Sequence, residues 1–137
     1  MTPPLASLLF FVVWTILLLL SVGGVRVWQI ARGEKKPSEF PGDVPHGGDA
    51  YRRLNRAHLN CVENLPLFAA VVLAAAVLGV DNGWLDRLAV VSVVARVGQS
   101  TTHIVSGSDR AVQVRFGFFG IQVVCLLTML AITASHA

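Results

Sequence analysis

Apolar residues fall into four long runs separated by three polar stretches. The first run, Leu5 to Val25, has no charged side chain and is long enough to cross a bilayer as one helix. Gly23 and Gly24, near its end, permit close approach of a neighbouring helix. Arg32 to Gly48 reads as a loop. Gly33-Glu34-Lys35-Lys36-Pro37 and Phe40-Pro41-Gly42-Asp43-Val44-Pro45-His46-Gly47-Gly48 are dense in helix breakers and turn formers. Asp49 reads as the N-cap of a second helix. Its first half is polar and amphipathic, and its second half, Leu65 to Val80, is apolar. Pro66 removes the hydrogen bond to the Val62 carbonyl and predicts a bend one turn beyond the polar half. Val80-Asp81-Asn82-Gly83 predicts a tight turn. The third apolar run is interrupted by Arg96, Gln99 and His103. After Ser106-Gly107-Ser108-Asp109 the fourth opens with Arg110, Gln113 and Arg115 and is uncharged from Phe116 onward. The expected helices cover about 5–31, 50–79, 84–106 and 109–135 of a single domain, 1–137.

Composition sharpens this into a fold class. Of 137 residues, 54% are apolar and 14% charged, and the mean hydropathy is +0.65. An all-α membrane protein is predicted, a four-helix transmembrane bundle with no room for a separate soluble domain. Met1-Thr2-Pro3-Pro4 lacks the basic start of a secretory signal and the run after it is too long for one, so the first helix is read as a permanent anchor. The net charge is +3, and Arg26, Arg32, Lys35, Lys36, Arg52, Arg53 and Arg56 flank the first loop. That pattern marks a cytoplasmic loop, not a nucleic-acid surface. Loops one and three are expected in the cytoplasm and both termini outside. The polar parts of helices two, three and four then meet at the cytoplasmic leaflet. Cys61 and Cys125 form neither a metal-ligand spacing nor a disulfide framework. Cys61, beside the polar face, is open to two readings, a reactive thiol or an inert buried one.

Candidate chemistry concentrates in the second helix. Arg53, Arg56, Asn60 and Glu63 are spaced i, i+3, i+7, i+10 and share one helical face; Leu54, Leu59 and Val62 are expected opposite. Ionisable groups at membrane depth pair, face an interior, or serve function. A two-sign cluster suits a small zwitterion, guanidinium groups meeting carboxylates and a carboxylate meeting an ammonium. The competing reading is a set of snorkelling anchors at the interface. In the third helix Arg96, Gln99 and His103 also share a face. Arg96 needs an acceptor there, and Glu63 is the protein partner that would make the pair purely structural. His103 reads as a proton shuttle, a hydrogen-bond donor or a structural histidine.

The run Arg53-x-x-Arg56-Ala57-x-x-Asn60-x-x-Glu63, followed by Pro66-x-Phe68, resembles the signature of the membrane-associated proteins in eicosanoid and glutathione metabolism, the MAPEG family. The four spans, the basic first loop, Arg96 and Arg110 agree with that layout. The resemblance implies a microsomal-glutathione-transferase-like protein of bacterial type. It implies a homotrimer holding glutathione as co-substrate at each subunit interface. Arg56, Asn60 and Glu63 would hold the charged ends of the tripeptide, with Arg53, His58, Arg96 and His103 near it. Arg32 corresponds to the arginine ending the first helix, and Arg110 to the one stabilising the thiolate. Arg115, about 140° further round the helix, is the rival for that role or a plain interface anchor. Relatives acting on eicosanoids carry a tyrosine where His103 stands, and Tyr51 is the only tyrosine here.

The activity implied is a membrane-bound transferase or peroxidase acting in detoxification. Its partners would be a lipophilic electrophile or lipid hydroperoxide and membrane lipid, with no nucleic acid and no metal. The expected location is the bacterial inner membrane, with the site facing the cytoplasm. The alternative is a non-catalytic lipid-binding or scaffold protein of the same fold, as the family's lipoxygenase-activating member is. A small four-helix exporter would need a glutamate within the first span, and this chain has none there.

Overall fold

The computed structural model describes residues 1–42 and 44–136; Asp43, read above as part of the first loop, and Ala137, the last residue of the expected domain, lie outside them. The first helix, α1 (Pro3–Ala31), begins with two prolines where no N–H donor is needed. It closes on a left-handed glycine. Gly33 has φ +71°, its N–H donates to the Ile30 carbonyl at 2.9 Å, and Glu34 N–H donates to Gln29 at 3.0 Å. A short 3₁₀ turn (Pro37–Glu39) follows in the first loop. The second helix, α2 (Asp49–Val77), is capped by Gly48; Asp49, expected as the cap, sits one residue further in, in the first turn. Its carboxylate there still faces the positive end of the helix dipole. α2 runs through Pro66 and ends at Gly79, φ +65°, with Val80 N–H reaching back to Ala75 at 3.0 Å.

Asn82 caps the third helix, α3 (Gly83–Val105), accepting from Trp84 and Leu85 N–H at 2.9 and 3.3 Å. Ser108 does the same for the fourth, α4 (Asp109–Ala134), accepting from Ala111 N–H at 3.3 Å. All four helices are long and apolar enough to cross a membrane, and no strand occurs among the described residues.

α1 packs on α2 and α3, α3 packs most extensively on α4, and α2 touches both α3 and α4. The shared core is built from Leu8, Phe11 and Leu18 of α1, Phe68 and Val72 of α2, Leu85 and Val93 of α3 and Met129 of α4. Phe11 and Phe68 meet edge to face, centroids 5.9 Å apart. The buried line of α2 runs through Ala57 and Cys61, both 0% exposed. Leu59 and Val62, two of the expected apolar face, point outward, and only Leu54 packs on the core. Small residues along that line let α2 close on its neighbours. Exposed Leu9, Phe10, Leu17, Leu20, Phe116, Val124 and Leu127 clothe the outside in hydrocarbon. Such a surface suits lipid and would be an aggregation hazard in water.

The first loop is tied to the helices beneath it. Arg26 Nε donates to the Tyr51 hydroxyl at 2.6 Å, and its guanidinium lies over the Phe40 and Tyr51 rings at 5.7 and 5.9 Å. Gly47, φ +79°, lets the chain pass Tyr51; a Cβ there would stand 2.8 Å from the ring.

Candidate functional site

The stripe on α2 divides in two. At about 100° per residue, Arg53 and Asn60 lie roughly 20° apart, whereas Arg56 and Glu63 sit about 60° further round. The first pair reaches α3. Arg53 Nε donates to the Ile104 carbonyl at 3.2 Å, capping one of the free carbonyls at the end of α3. Asn60 lies 3.1 Å from His103 Nε2. Arg56 and Glu63 are exposed, and neither has a hydrogen-bond or ion-pair partner among the described residues.

His103 is also held from α4: Arg115 Nη1 lies 2.6 Å from its Nδ1. Guanidinium can only donate, so Nδ1 accepts, and in the neutral ring the proton sits on Nε2. Asn60 then meets that proton with its amide oxygen, reached by turning the amide over about its last bond. These residues line a cleft of ≈ 340 Å³ between α2, α3 and α4. Arg56, Asn60, Gln99, His103 and Arg115 supply its polar wall, and Phe116 and Phe119 its apolar one. Cationic and amide groups beside an aromatic wall suit an anionic, partly apolar ligand entering from lipid.

Beneath the cleft the network is closed by buried side chains. Arg96 is 2% exposed, and its Nη1 donates to Gln99 Oε1 at 2.8 Å. Gln122 Nε2 donates to the same oxygen at 3.1 Å and to the Phe118 carbonyl at 2.9 Å. Gln99 Nε2 donates to the Arg115 carbonyl at 3.3 Å, fixing the first turns of α4 against α3. The expected Arg96–Glu63 ion pair is not formed; the one ion pair among the described residues is Arg32–Glu34, at 3.9 Å. The reason is rotational. Cys61 is the buried position of α2, and Glu63, two residues on, faces about 200° away from it. Cys61 Sγ instead lies 3.5 Å from Ser100 Oγ in a closed interior, which favours the inert reading of that thiol.

Other sequence candidates fall elsewhere. His58 lies on a second cleft, ≈ 490 Å³, between α1, α2 and the first loop. Arg56 lines both clefts, so its guanidinium stands on the ridge between them. Arg32 caps the end of α1, exposed, stacked on Trp28 at 4.2 Å, and lines neither cleft. The arginine of α1 that does reach a cleft is Arg26. Its signal in the sequence was its position: it precedes the expected helix end by more than a turn, so it projects from the helix wall. Arg110 is exposed on the first turn of α4 and lines neither cleft, whereas Arg115 lines the smaller one. Gln122 was not singled out from the sequence, although it is a lone amide in the uncharged half of α4.

Fold and site together define a polytopic membrane protein with a cationic, amide-lined cleft at one end of its bundle. The model of the MAPEG family matches residues 4–135. The chain belongs to that family, which includes glutathione transferases and related proteins and whose members use glutathione. No curated protein matches the chain.

Proposed function

We propose that this protein is a membrane-bound glutathione-dependent transferase or peroxidase acting on a lipophilic electrophile. The observation that carries the reading is the charged pair on α2, unpartnered among the described residues. Arg56 and Glu63 have opposite charge, stand exposed on a helix of the bundle, and are seven residues apart. Seven residues rise about 10 Å along a helix. An extended tripeptide spans about 10 Å. A ligand with a carboxylate at one end and an ammonium beside a carboxylate at the other satisfies both charges at once, with Asn60 between them.

Glutathione supplies a thiol, ordinarily with a pKa near 8.5, whose thiolate is the reactive form. The protein's part is to favour that ionised form. A guanidinium near the sulfur does so, and more strongly in a surround of low dielectric. Arg110 takes that role in our reading, because Arg115 is already committed to His103. Arg56, Glu63 and Asn60 orient the tripeptide. Phe116 and Phe119 offer the electrophile an apolar wall continuous with lipid.

Glu63 stands exposed outside the cleft that Arg56 lines, so a second copy of the chain completes the pocket in our reading, in a homotrimer of the family's kind. The basic first loop supports a site on the cytoplasmic side, and in our reading the setting is detoxification at a bacterial inner membrane. The second reading, a lipid-binding scaffold, draws on the apolar share of the cleft wall. Purified protein titrated with glutathione separates them. The enzyme should develop the near-ultraviolet-edge absorbance of a thiolate at neutral pH, and native mass spectrometry should find three chains. No thiolate band at saturating glutathione would favour the scaffold.

A further inference from the structure

A separate, much smaller cavity of ≈ 20 Å³ lies below the cleft, among the cores of the four helices. Its lining includes Arg96, Ser92, Asn64, Gln122 and Phe11. A space of this size admits one particle the size of a water molecule or slightly larger. It excludes glutathione, a phosphate or a lipid headgroup.

The polar chemistry of the lining is unbalanced. Arg96 Nε and Nη2 are buried without a hydrogen-bond partner among the described residues, although the side chain is only 2% exposed. Ser92 Oγ, on a residue 6% exposed, is likewise unpartnered. Asn64 spends one amide N–H on the Asn60 carbonyl at 2.9 Å and keeps the other. These groups sit on residues that share one cavity wall, where the free N–H and O–H donors outnumber the two amide oxygens, of Asn64 and Gln122, that could accept from them. The guanidinium is charged at every accessible pH. The Phe11 ring, 5.8 Å from the guanidinium carbon, offsets part of that charge through its π-face. Glu63 is turned outward and forms no ion pair with Arg96. A water molecule would meet the hydrogen-bonding demand and leave the charge uncompensated at membrane depth, where that is costly.

We propose that this cavity is a binding site for one small monovalent anion of the halide class, held by Arg96 Nε and Nη2, Ser92 Oγ and the spare N–H of Asn64. The ion neutralises the guanidinium from below. Nη1 then keeps its bond to Gln99, and through Gln99 the floor of the larger cleft is held. The site is structural, distinct from the tripeptide cleft, and independent of whether the protein turns over glutathione.

The test uses full-length protein in detergent, without glutathione, at fixed ionic strength, with chloride replacing gluconate stepwise. The melting temperature should rise saturably with chloride, and crystals grown in bromide should show an anomalous peak in the cavity. Arg96→Gln should abolish the saturable rise. Ser92→Ala, which keeps the charge and deletes one donor, should raise the half-saturating chloride about tenfold, the usual cost of one hydrogen bond to a charged group. Should Arg96→Gln fail to fold, Ser92→Ala decides alone. Equal melting curves in chloride and gluconate would overturn the proposal in favour of a water-filled cavity. An unchanged half-saturation in Ser92→Ala would overturn it as well, by placing the ion elsewhere.

Discussion

The floor of the cleft and the outer stripe of α2 use the same residue types to opposite ends. On the floor, Arg96 and Gln122 donate to the Gln99 amide oxygen while the Gln99 amide nitrogen donates to the Arg115 carbonyl, which ties α3 to α4. On the stripe, Arg56 and Glu63 stand exposed with no partner among the described residues. A charged group inside a membrane protein without a partner is not a stable end point. The difference separates the polar groups this chain satisfies itself from those that the proposed ligand and a second copy would satisfy.

The comparison breaks first at the floor. Gln99→Leu would strand Arg96 Nη1 in the interior, leave the Gln122 amide only its bond to the Phe118 carbonyl, and remove the bond from Gln99 to the Arg115 carbonyl that ties α4 to α3. The expected loss is about 3 kcal/mol of stability, the range for a buried charge deprived of its partner. Denaturation in mixed micelles measures it, and an unchanged midpoint would mean the floor is not the lock described. A change on the lipid-facing wall of comparable size, Leu127→Ala, should cost much less, because Leu127 is 60% exposed.

A second effect, nearly as large, sharpens the catalytic side. Arg110→Ala should lower the maximal rate about a hundredfold, the scale on which one preorganised stabilising group acts. Glutathione affinity should change far less. Arg115→Ala should instead loosen His103 and weaken the cleft. The pKa of bound thiol, followed by absorbance against pH, distinguishes the two. A raised pKa in Arg115→Ala with none in Arg110→Ala would transfer the thiolate role to the arginine inside the cleft.

The smallest expected effect lies at the loop. Tyr51→Phe removes the hydroxyl that accepts from Arg26 and leaves the ring's contacts with His46 and the Arg26 guanidinium in place. About 1 kcal/mol should be lost, and proteolysis near Pro41 should quicken. A variant cleaved no faster would show that ring packing alone holds the loop.

Much of the fold was legible because lipid enforces simple rules. Four long apolar runs, the breaker-rich first loop and the polar start of α2 all speak locally. Azimuth was harder. The sequence puts Arg53, Arg56, Asn60 and Glu63 on one broad face, yet α3 claims the Arg53–Asn60 edge and leaves the Arg56–Glu63 edge free. That split depends on Ala57 and Cys61 being the line that enters the core, which periodicity among leucines does not reveal. The Arg96–Glu63 pair was expected for the same reason: opposite charges at one depth invite pairing, but only rotation decides it. Arg26 was hidden by a basic loop in which every arginine looked alike.

The most direct measurement is calorimetric titration of glutathione into purified wild type, Arg56→Ala and Glu63→Gln. If the outer stripe of α2 is the ligand's own half of the site, wild type binds and each variant weakens binding at least tenfold, about 1.5–3 kcal/mol for a lost charged hydrogen bond. Equal affinity in all three proteins would contradict the account, since the unpartnered charges would then serve something other than the tripeptide.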